Sequence, residues 1–196
     1  GSLAVLAGIP AVNIAHGAAA KVVVVGGGFG GATAARYLKR FDNSLDVTLV
    51  EPDHKFITCP FSNSVIGGLH DMAYITKGYD GLRAAGVKVI HDRATMVDAG
   101  TVTLLSGAQF PYDRAVVSPG VDFKWTAVEG YSEAAAEKIP HAWQAGRQTV
   151  LLRKQLQAMP DGGIFLMSAP PNPFRCPPGT GERISRMKSG LSASSC

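Results

Sequence analysis

A run of four valines followed at once by a glycine-rich turn constrains this sequence most. Residues 22–25 are β-branched and apolar, which suits a strand buried on both faces of a parallel sheet. Gly26, Gly28 and Gly31 follow at the G-x-G-x-x-G spacing. In that spacing the first glycine allows a tight turn, the second admits a pyrophosphate, and the third lets the helix pack on the strand. The pattern predicts a helix N-terminus that binds an anion.

A second apolar strand, residues 47–50, ends at Glu51. This acid lies roughly 20 residues after the last glycine, where a carboxylate accepts hydrogen bonds from an adenosine ribose. A negatively charged residue at this position would repel a phosphate on the 2′-hydroxyl of that ribose, which argues against NADP. A glycine-rich turn in an ordinary βαβ unit would explain the glycines without the acid. The strand, turn, helix and acid together predict a dinucleotide, either FAD or NAD.

The composition is that of a globular protein of one large domain or one and a fraction. The 196 residues are 46% hydrophobic and 17% charged, with a formal net charge of +4. Basic residues are concentrated in one place, at Arg183, Arg186 and Lys188. This cluster has few aromatic neighbours, which is typical of a solvated tail. The five histidines are scattered. We therefore expect neither a nucleic-acid partner nor a metal site.

The first twenty residues read as the remnant of an export signal. An apolar stretch ends in Ala18, Ala19 and Ala20, an A-x-A cleavage pattern directly before the first strand. The stretch is too short and too interrupted to span a bilayer. A disordered extension is the alternative. Export would place a mature chain beginning near Lys21, without a membrane span, in an oxidising compartment.

The rest of the first half predicts further elements of a doubly wound sheet. We expect helices over residues 31–40 and 72–85, the second ended by Gly86, and a strand over 87–91. A small antiparallel meander follows, and a buried strand then ends at a sharp turn, at residues 95–97, 101–105, 108–110 and 112–120. The fold class is therefore α/β, Rossmann-like. By analogy of fold, such a meander is typical of FAD domains rather than simple NAD domains.

The second half predicts two helices and the start of another domain. Ser132 begins a short helix, and residues 148–159 form a longer one with a core-facing stripe of Thr149, Leu152, Leu156 and Met159. Residues 164–168 form an apolar strand. The next segment, 169–179, is rich in proline, which lacks the N–H groups that a pyrophosphate needs. This argues against NAD(P)H as a second substrate.

The chain contains four short motifs, namely Thr58-Cys59, KGYDGL at 77–82, PHAW at 140–143 and PFRCPPG at 173–179. Together they resemble the flavoprotein subunit of flavocytochrome c sulfide dehydrogenase. That subunit belongs to the FAD-dependent disulfide reductases of the glutathione-reductase type and is related to sulfide:quinone reductases. The resemblance implies a periplasmic enzyme that oxidises sulfide through covalent FAD and passes electrons to a c-type cytochrome subunit. It divides the chain into a leader (1–20), an FAD-binding domain (21–160), the start of a second dinucleotide-fold domain (161–183) and a divergent tail (184–196).

The resemblance also implies roles for individual residues. Cys59 would carry the flavin through an 8α-thioether. Cys176 would form half of a redox-active disulfide, and Glu182 would match an acidic residue beside it. The positions that match FAD-contacting segments are Gly26, Gly27, Gly28, Gly30, Gly31, Glu51, Pro52, Asn63, the backbone at Ala94, Ser118, Pro119 and Gly120.

These residues support a coherent chemistry. Hydrosulfide can attack a disulfide sulfur and release a thiolate, which then donates to the flavin. Glu182 would move protons if its pKa is raised. Each residue also has a simpler interpretation, because a lone cysteine is often a small buried hydrophobe and a loop glutamate is usually just solvated.

The sequence departs from the family after Arg183. Family members are about twice as long, as expected for two dinucleotide-fold domains plus an interface domain. Residues 184–196 are polar and serine-rich, so we expect a disordered tail with Cys196 as an unpaired thiol. We also expect this chain alone to be truncated and catalytically impaired. The alternatives are a sulfide:quinone reductase-like flavoprotein and a non-catalytic flavin-binding fragment.

Overall fold

A four-stranded parallel sheet organises the part of the chain that the computed structural model describes, residues 18–141 and 143–170. The elements in chain order are β1 (Lys21–Val25), α1 (Phe29–Phe41), β2 (Asp46–Val50), β3 (Phe56–Ile57), α2 (Ser62–Ile66), α3 (Met72–Ile75), β4 (Thr76–Lys77), α4 (Asp80–Ala84), β5 (Lys88–Ile90), β6 (Ala94–Val97), β7 (Thr101–Leu104), β8 (Gln109–Pro111), β9 (Arg114–Val117), a 3₁₀ turn (Trp125–Ala127), α5 (Glu133–Ala136) and α6 (Arg147–Gln157).

The sheet has the order β5-β2-β1-β9 with every pair parallel. The valines of β1 alternate between two cores, as side chains of a strand must. Val22 and Val24 pack with Ala35 of α1 on one face, and Val23 packs with Val102 of β7 on the other. Burial on both faces explains why four valines follow one another in β1 without a polar residue between them. The predicted α/β fold class with its parallel sheet is confirmed.

The predicted meander is also confirmed. Strands β6, β7 and β8 pair antiparallel in that order and cover the face of the sheet opposite α1. Val102 and Leu104 of β7 are buried against Val23 and Val50 of the sheet. The meander therefore closes one side of the parallel sheet, while α1 and α4 close the other.

The single helix predicted over residues 72–85 is wrong. The structure divides this segment into α3 and α4, separated by β4. Strand β4 pairs antiparallel with β3, Phe56 opposite Lys77 and Ile57 opposite Thr76. Pairing with a distant segment overrides the local helical pattern here. Gly86 ends α4 as predicted, with φ of +84°.

The helices of the second half follow the predictions more closely. The Ser132 side chain caps α5 by accepting a hydrogen bond from the Ala135 N–H. Helix α6 packs against α2 through the predicted stripe, in which Thr149, Leu152 and Leu156 are buried. Its fourth member, Met159, is half-buried.

The strand predicted over residues 164–168 is absent. Ile164 and Leu166 are 93% and 87% exposed, and no described strand pairs with this segment. An isolated strand has no ladder of hydrogen bonds to hold it. The predictions for residues 1–17 of the leader, for Cys176 and Glu182, and for the tail at 184–196 lie outside the described residues.

None of the helices in the described part of the chain combines the length and the apolar character needed to cross a membrane.

Candidate functional site

The carboxyl ends of β1, β2 and β9 meet at one edge of the sheet. Gly26 follows β1, Glu51 follows β2 and Ser118 follows β9. The chain proceeds from β1 to β2 on one side and places β9 on the other, so the strand order reverses beside β1. Ligands of open α/β sheets bind in the crevice at such a switch point.

Gly26 and Gly31 lie too close to backbone carbonyl oxygens to carry a side chain. A Cβ on Gly26 would lie 2.1 Å from the Ser118 carbonyl oxygen, and Gly26 has a φ of +96°. A Cβ on Gly31 would lie 1.8 Å from the Gly26 carbonyl oxygen. Without a side chain at Gly26, the turn packs onto the end of β9. Without one at Gly31, α1 packs against β1. Both are the structural roles that the G-x-G-x-x-G spacing predicts.

Gly28 leaves the start of α1 accessible. It is the N-cap and has no side-chain capping bond within the described residues. Among those residues, a Cβ on Gly28 would meet the Phe56 ring alone, at 3.5 Å and beyond, whereas one on Gly30 would lie 2.6 Å from Ser118 Oγ. The first N–H groups of a helix have no intrahelical acceptor and carry the positive end of its dipole. The turn therefore fits the diphosphate of a dinucleotide.

Glu51 is held in place by two backbone donors. Its Oε2 accepts a hydrogen bond from the Gly27 N–H at 2.6 Å, and its Oε1 accepts one from the Asp53 N–H at 2.9 Å. A carboxylate oxygen has a second acceptor position, so both oxygens can also accept from a hydroxyl group. Glu51 is half-buried. Its orientation fits the two hydroxyls of a ribose.

Two residues around Glu51 received no role from the sequence. Tyr79 is buried, and its hydroxyl donates to the Gly27 carbonyl oxygen at 3.1 Å. Burial first, and then the negative charges of Glu51 and Asp53, raise the pKa of Tyr79 to about 12. His91 contacts the Glu51 carbonyl oxygen through Nδ1 at 3.1 Å. Tyr79 lies in one of the motifs that carry the family resemblance, but nothing in its local pattern marks a contact with the turn.

The partners of His91 assign its tautomer. Its Nε2 lies 2.8 Å from Nη2 of Arg83, and a guanidinium can only donate. Nε2 therefore accepts, and Nδ1 carries the proton that is donated to the Glu51 carbonyl. Through this contact His91, which follows β5, is attached to the end of β2.

Cys59 lies on a loop that begins beside the glycine turn. The Phe56 ring packs edge-on against Phe29 of α1, with the ring centroids 5.3 Å apart. Three further residues bring the chain to Cys59, a span of about 10 Å at most. The Cys59 thiol is exposed, forms no disulfide within the described part of the chain, and lies 3.5 Å from the Trp143 carbonyl oxygen. The thiol is therefore accessible from solvent.

The structure brings some of the predicted site residues together and separates others. The glycines, Glu51 and Ser118 form one group, flanked by exposed residues, namely Pro52, Pro119 and Gly120. Cys59 lies on the connection from β3 to α2, and the half-buried Asn63 lies in the first turn of α2. Ala94 is half-buried at the start of β6, packed on the meander core. The binding roles of all these residues stay predictions.

Comparison with known families identifies the superfamily. The family model described as "Pyridine nucleotide-disulphide oxidoreductase" matches residues 20–155. The chain belongs to this family. The oxidoreductase domain contains the whole parallel sheet, the meander and most of α6. A second family model, "Sulfide dehydrogenase [flavocytochrome c] flavoprotein chain, central", matches residues 149–195.

Individual relatives of this oxidoreductase agree with both matches. The flavocytochrome c sulfide dehydrogenase flavoprotein chain of Chlorobaculum thiosulfatiphilum is 67% identical over 45 residues, 23% of this chain and 94% of that sequence. The mitochondrial sulfide:quinone oxidoreductase of Dictyostelium discoideum is 26% identical over 162 residues, 80% of this chain and 35% of its own length. The resemblance to the flavocytochrome subunit is confirmed.

A solved structure shows the same architecture. The sulfide:quinone oxidoreductase of Aquifex aeolicus superposes with a TM-score of 0.60 at 25% identity, covering 71% of this chain and 32% of that one. The chain thus spans about a third of the length of the sulfide:quinone oxidoreductases that it matches.

Proposed function

We propose that this chain binds FAD and acts in the oxidation of sulfide, passing electrons to a c-type cytochrome partner in the periplasm. One observation carries the proposal. A glycine turn, an oriented acid and a close-packed Ser118 meet at the switch point of an oxidoreductase domain, in a chain that is 67% identical over 45 residues to a flavocytochrome c sulfide dehydrogenase subunit. The geometry of the site supports the binding of a nucleotide, and the similarity to the flavocytochrome subunit supports the oxidation of sulfide.

The chain's own residues provide complementary contacts for FAD. The N–H groups at the start of α1 face the pyrophosphate, since they carry the positive end of the helix dipole. Glu51 accepts from the ribose hydroxyls with the acceptor positions that Gly27 and Asp53 leave open. Ser118 closes the turn from the β9 side, with its carbonyl and hydroxyl against Gly26 and Gly30.

Cys59 is proposed as the residue that holds the flavin through an 8α-thioether. Its thiol is exposed and unbridged, on the loop that leaves the turn at Phe56. A covalent bond would keep the cofactor from dissociating in an exported protein. The assignment of the bond to this sulfur rests on the family resemblance.

Cys176 and Glu182 are proposed to act on sulfide. With Cys176 in a disulfide, hydrosulfide attacks one sulfur, an S–S bond to the substrate forms, and the other sulfur leaves as a thiolate. Glu182 is proposed to manage the protons. FAD, when bound, would supply a two-electron acceptor, so that the thiolate and the persulfide re-form the disulfide, one sulfur atom leaves in the zero-valent state and the released proton passes to Glu182.

A second candidate function is sulfide oxidation with a quinone as acceptor. It is favoured by the similarity to sulfide:quinone oxidoreductases, which extends over 80% of this chain. The two candidates share the nucleotide site and differ in the electron acceptor.

The covalent bond is tested on the protein isolated from its native host. Denaturation should leave yellow flavin attached to the wild-type chain and to Cys176→Ser, and should release it from Cys59→Ser. Cys176→Ser is the matched control, because it makes the same substitution at the other proposed functional cysteine. Flavin that stays attached to Cys59→Ser would assign the bond to another atom, and a wild-type protein without any flavin would overturn the proposal.

The acceptor is tested by following sulfide-dependent reduction with two partners. Reduction of a c-type cytochrome supports the first candidate. Reduction of a water-soluble quinone instead supports the second. A flavin-containing protein that reduces neither would show that the chain binds the cofactor without turning over sulfide.

A further inference from the structure

Tyr79 reaches from the start of α4 into the glycine turn. Its side chain is buried, only 4% of the residue being exposed, and its hydroxyl donates to the Gly27 carbonyl oxygen at 3.1 Å. A Cβ on Gly27 would lie 2.6 Å from the Tyr79 hydroxyl oxygen and 2.9 Å from Cε1 of the ring. The ring therefore fills the space beside Gly27 that a side chain would take.

Both peptide groups that flank Gly27 are held by side chains from other elements. The Gly27 N–H belongs to the peptide between residues 26 and 27, and it donates to Glu51 Oε2 at 2.6 Å. The Gly27 carbonyl belongs to the next peptide, and it accepts from Tyr79. Glu51 and Tyr79 thus fix the two peptide planes in the middle of the turn.

The second of these planes also carries the Gly28 N–H. In a trans peptide the C=O and the N–H point in opposite directions, so fixing the Gly27 carbonyl fixes the direction of the Gly28 N–H. Gly28 is the N-cap of α1. Within residues 18–141 and 143–170, no acceptor lies within hydrogen-bonding distance and angle of its N–H.

We propose that Tyr79 is a positioning residue of the nucleotide site, whose hydroxyl aims the Gly28 N–H at the pyrophosphate. This inference rests on the proposed function and names a residue that supports the same site. The pKa of Tyr79 is raised to about 12 by burial and the neighbouring carboxylates, so its hydroxyl is a protonated donor at neutral pH. Tyr79 contacts the turn from the protein side and acts through the peptide.

The test compares an anionic and a neutral probe on the same site. The full chain carries Cys59→Ser, so that no nucleotide is held covalently, and binding of ADP and of adenosine is measured by calorimetry with and without Tyr79→Phe. Phenylalanine keeps the ring and removes the hydroxyl. We expect ADP to bind about fivefold more weakly, from the loss of one hydrogen bond, and adenosine to bind as before.

Tyr74→Phe is the matched control, since Tyr74 lies on α3 and is 44% exposed. It should change neither affinity. An equal loss of ADP and adenosine binding in Tyr79→Phe would mean that the residue supports only the fold, and unchanged ADP binding would overturn the inference. If the Cys59→Ser chain itself does not bind ADP, the proposed nucleotide site is wrong, and the inference with it.

A second measurement needs no substitution at Tyr79. In the Cys59→Ser chain, the ¹⁵N amide signal of Gly28 should shift when ADP is added and stay in place when adenosine is added. Gly100, which lies in the turn between β6 and β7, is the control amide. A Gly28 signal that ADP leaves in place would overturn the inference even where Tyr79→Phe fails to fold.

Discussion

The Gly27 N–H donates a hydrogen bond to Glu51 Oε2 at 2.6 Å and so joins the turn after β1 to the residue that follows β2. The same carboxylate accepts from the Asp53 N–H at 2.9 Å. Hydrogen bonds to an ionised acceptor are shorter and stronger than neutral ones. Glu51 therefore braces the glycine turn, and in the proposed nucleotide site its remaining acceptor positions would bind the ribose hydroxyls.

Glu51→Gln tests this double role. The amide keeps one oxygen and gains an NH₂ group, so only one of the two backbone donors retains its acceptor. In the Cys59→Ser chain, where no nucleotide is held covalently, we expect a loss of about 1–2 kcal/mol in the free energy of unfolding and about tenfold weaker ADP binding. Urea unfolding and calorimetry measure these quantities.

The control for this variant is Asp53→Asn, which also turns a carboxylate into an amide but at an exposed side chain. It should leave both the stability and the affinity close to wild type. Equal effects of the two substitutions would show that the stability and the ADP affinity depend on the negative charge in this region rather than on the hydrogen bond from Gly27.

Gly31→Ala should be among the most destabilising small substitutions in the domain. The added Cβ would lie 1.8 Å from the Gly26 carbonyl oxygen, so either α1 or the turn must move. We expect a loss of about 3 kcal/mol, measured by urea unfolding. Gly81→Ala is the matched control, because Gly81 lies in α4 and the described residues outside that helix have no atom within 4 Å of its Cβ position. Alanine there should stabilise the chain by about 0.5–1 kcal/mol. A Gly31→Ala protein as stable as wild type would contradict the close packing of α1 on β1.

The parts of the fold that the sequence predicts correctly are those with local signals. The valines of β1, the glycine spacing and the stripe of α6 each report on burial or backbone geometry within a few residues. The meander follows because turn residues at 98–100 separate two strands that pair with each other.

The parts that the sequence predicts wrongly depend on distant partners. Residues 72–85 have a helical pattern, but Thr76 and Lys77 pair with β3, about 20 residues earlier in the chain. Residues 164–168 have the apolar pattern of a buried strand, and no described strand pairs with them. The sequence made no prediction for the contact of Tyr79 with Gly27, because only the folded chain brings these two residues together.

Thr149→Val tests the start of α6. The Thr149 hydroxyl oxygen accepts a hydrogen bond from the buried Gly146 N–H at 3.1 Å, and Thr149 is itself 1% exposed. Valine keeps the shape and leaves that N–H buried without an acceptor. We expect a loss of about 1–3 kcal/mol in unfolding free energy, measured by urea unfolding. Thr149→Ser keeps the oxygen and should recover part of the loss. A valine variant more stable than the serine variant would show that packing outweighs this hydrogen bond.

The pH dependence of stability should reveal the buried hydroxyl of Tyr79. Its pKa is raised from 10.0 to about 12 in the folded chain, so the folded state keeps a proton that the unfolded state loses between these values. Stability falls with rising pH wherever the folded state binds more protons. The contribution of Tyr79 is therefore complete below pH 10 and lost as the pH rises towards 12.

Comparison of wild type with Tyr79→Phe isolates this contribution. One pKa unit corresponds to about 1.4 kcal/mol. The difference in the free energy of unfolding between wild type and Tyr79→Phe should therefore shrink by about that amount between pH 8 and pH 11. Urea unfolding at several pH values in this range measures the difference, and subtraction removes the effects of the other titrating groups. Tyr74→Phe, at an exposed position, should keep the wild-type dependence. A difference between wild type and Tyr79→Phe that stays constant up to pH 11 would mean that the phenol ionises as easily in the folded chain as in the unfolded one, which is incompatible with a hydroxyl buried against Gly27 and flanked by two carboxylates.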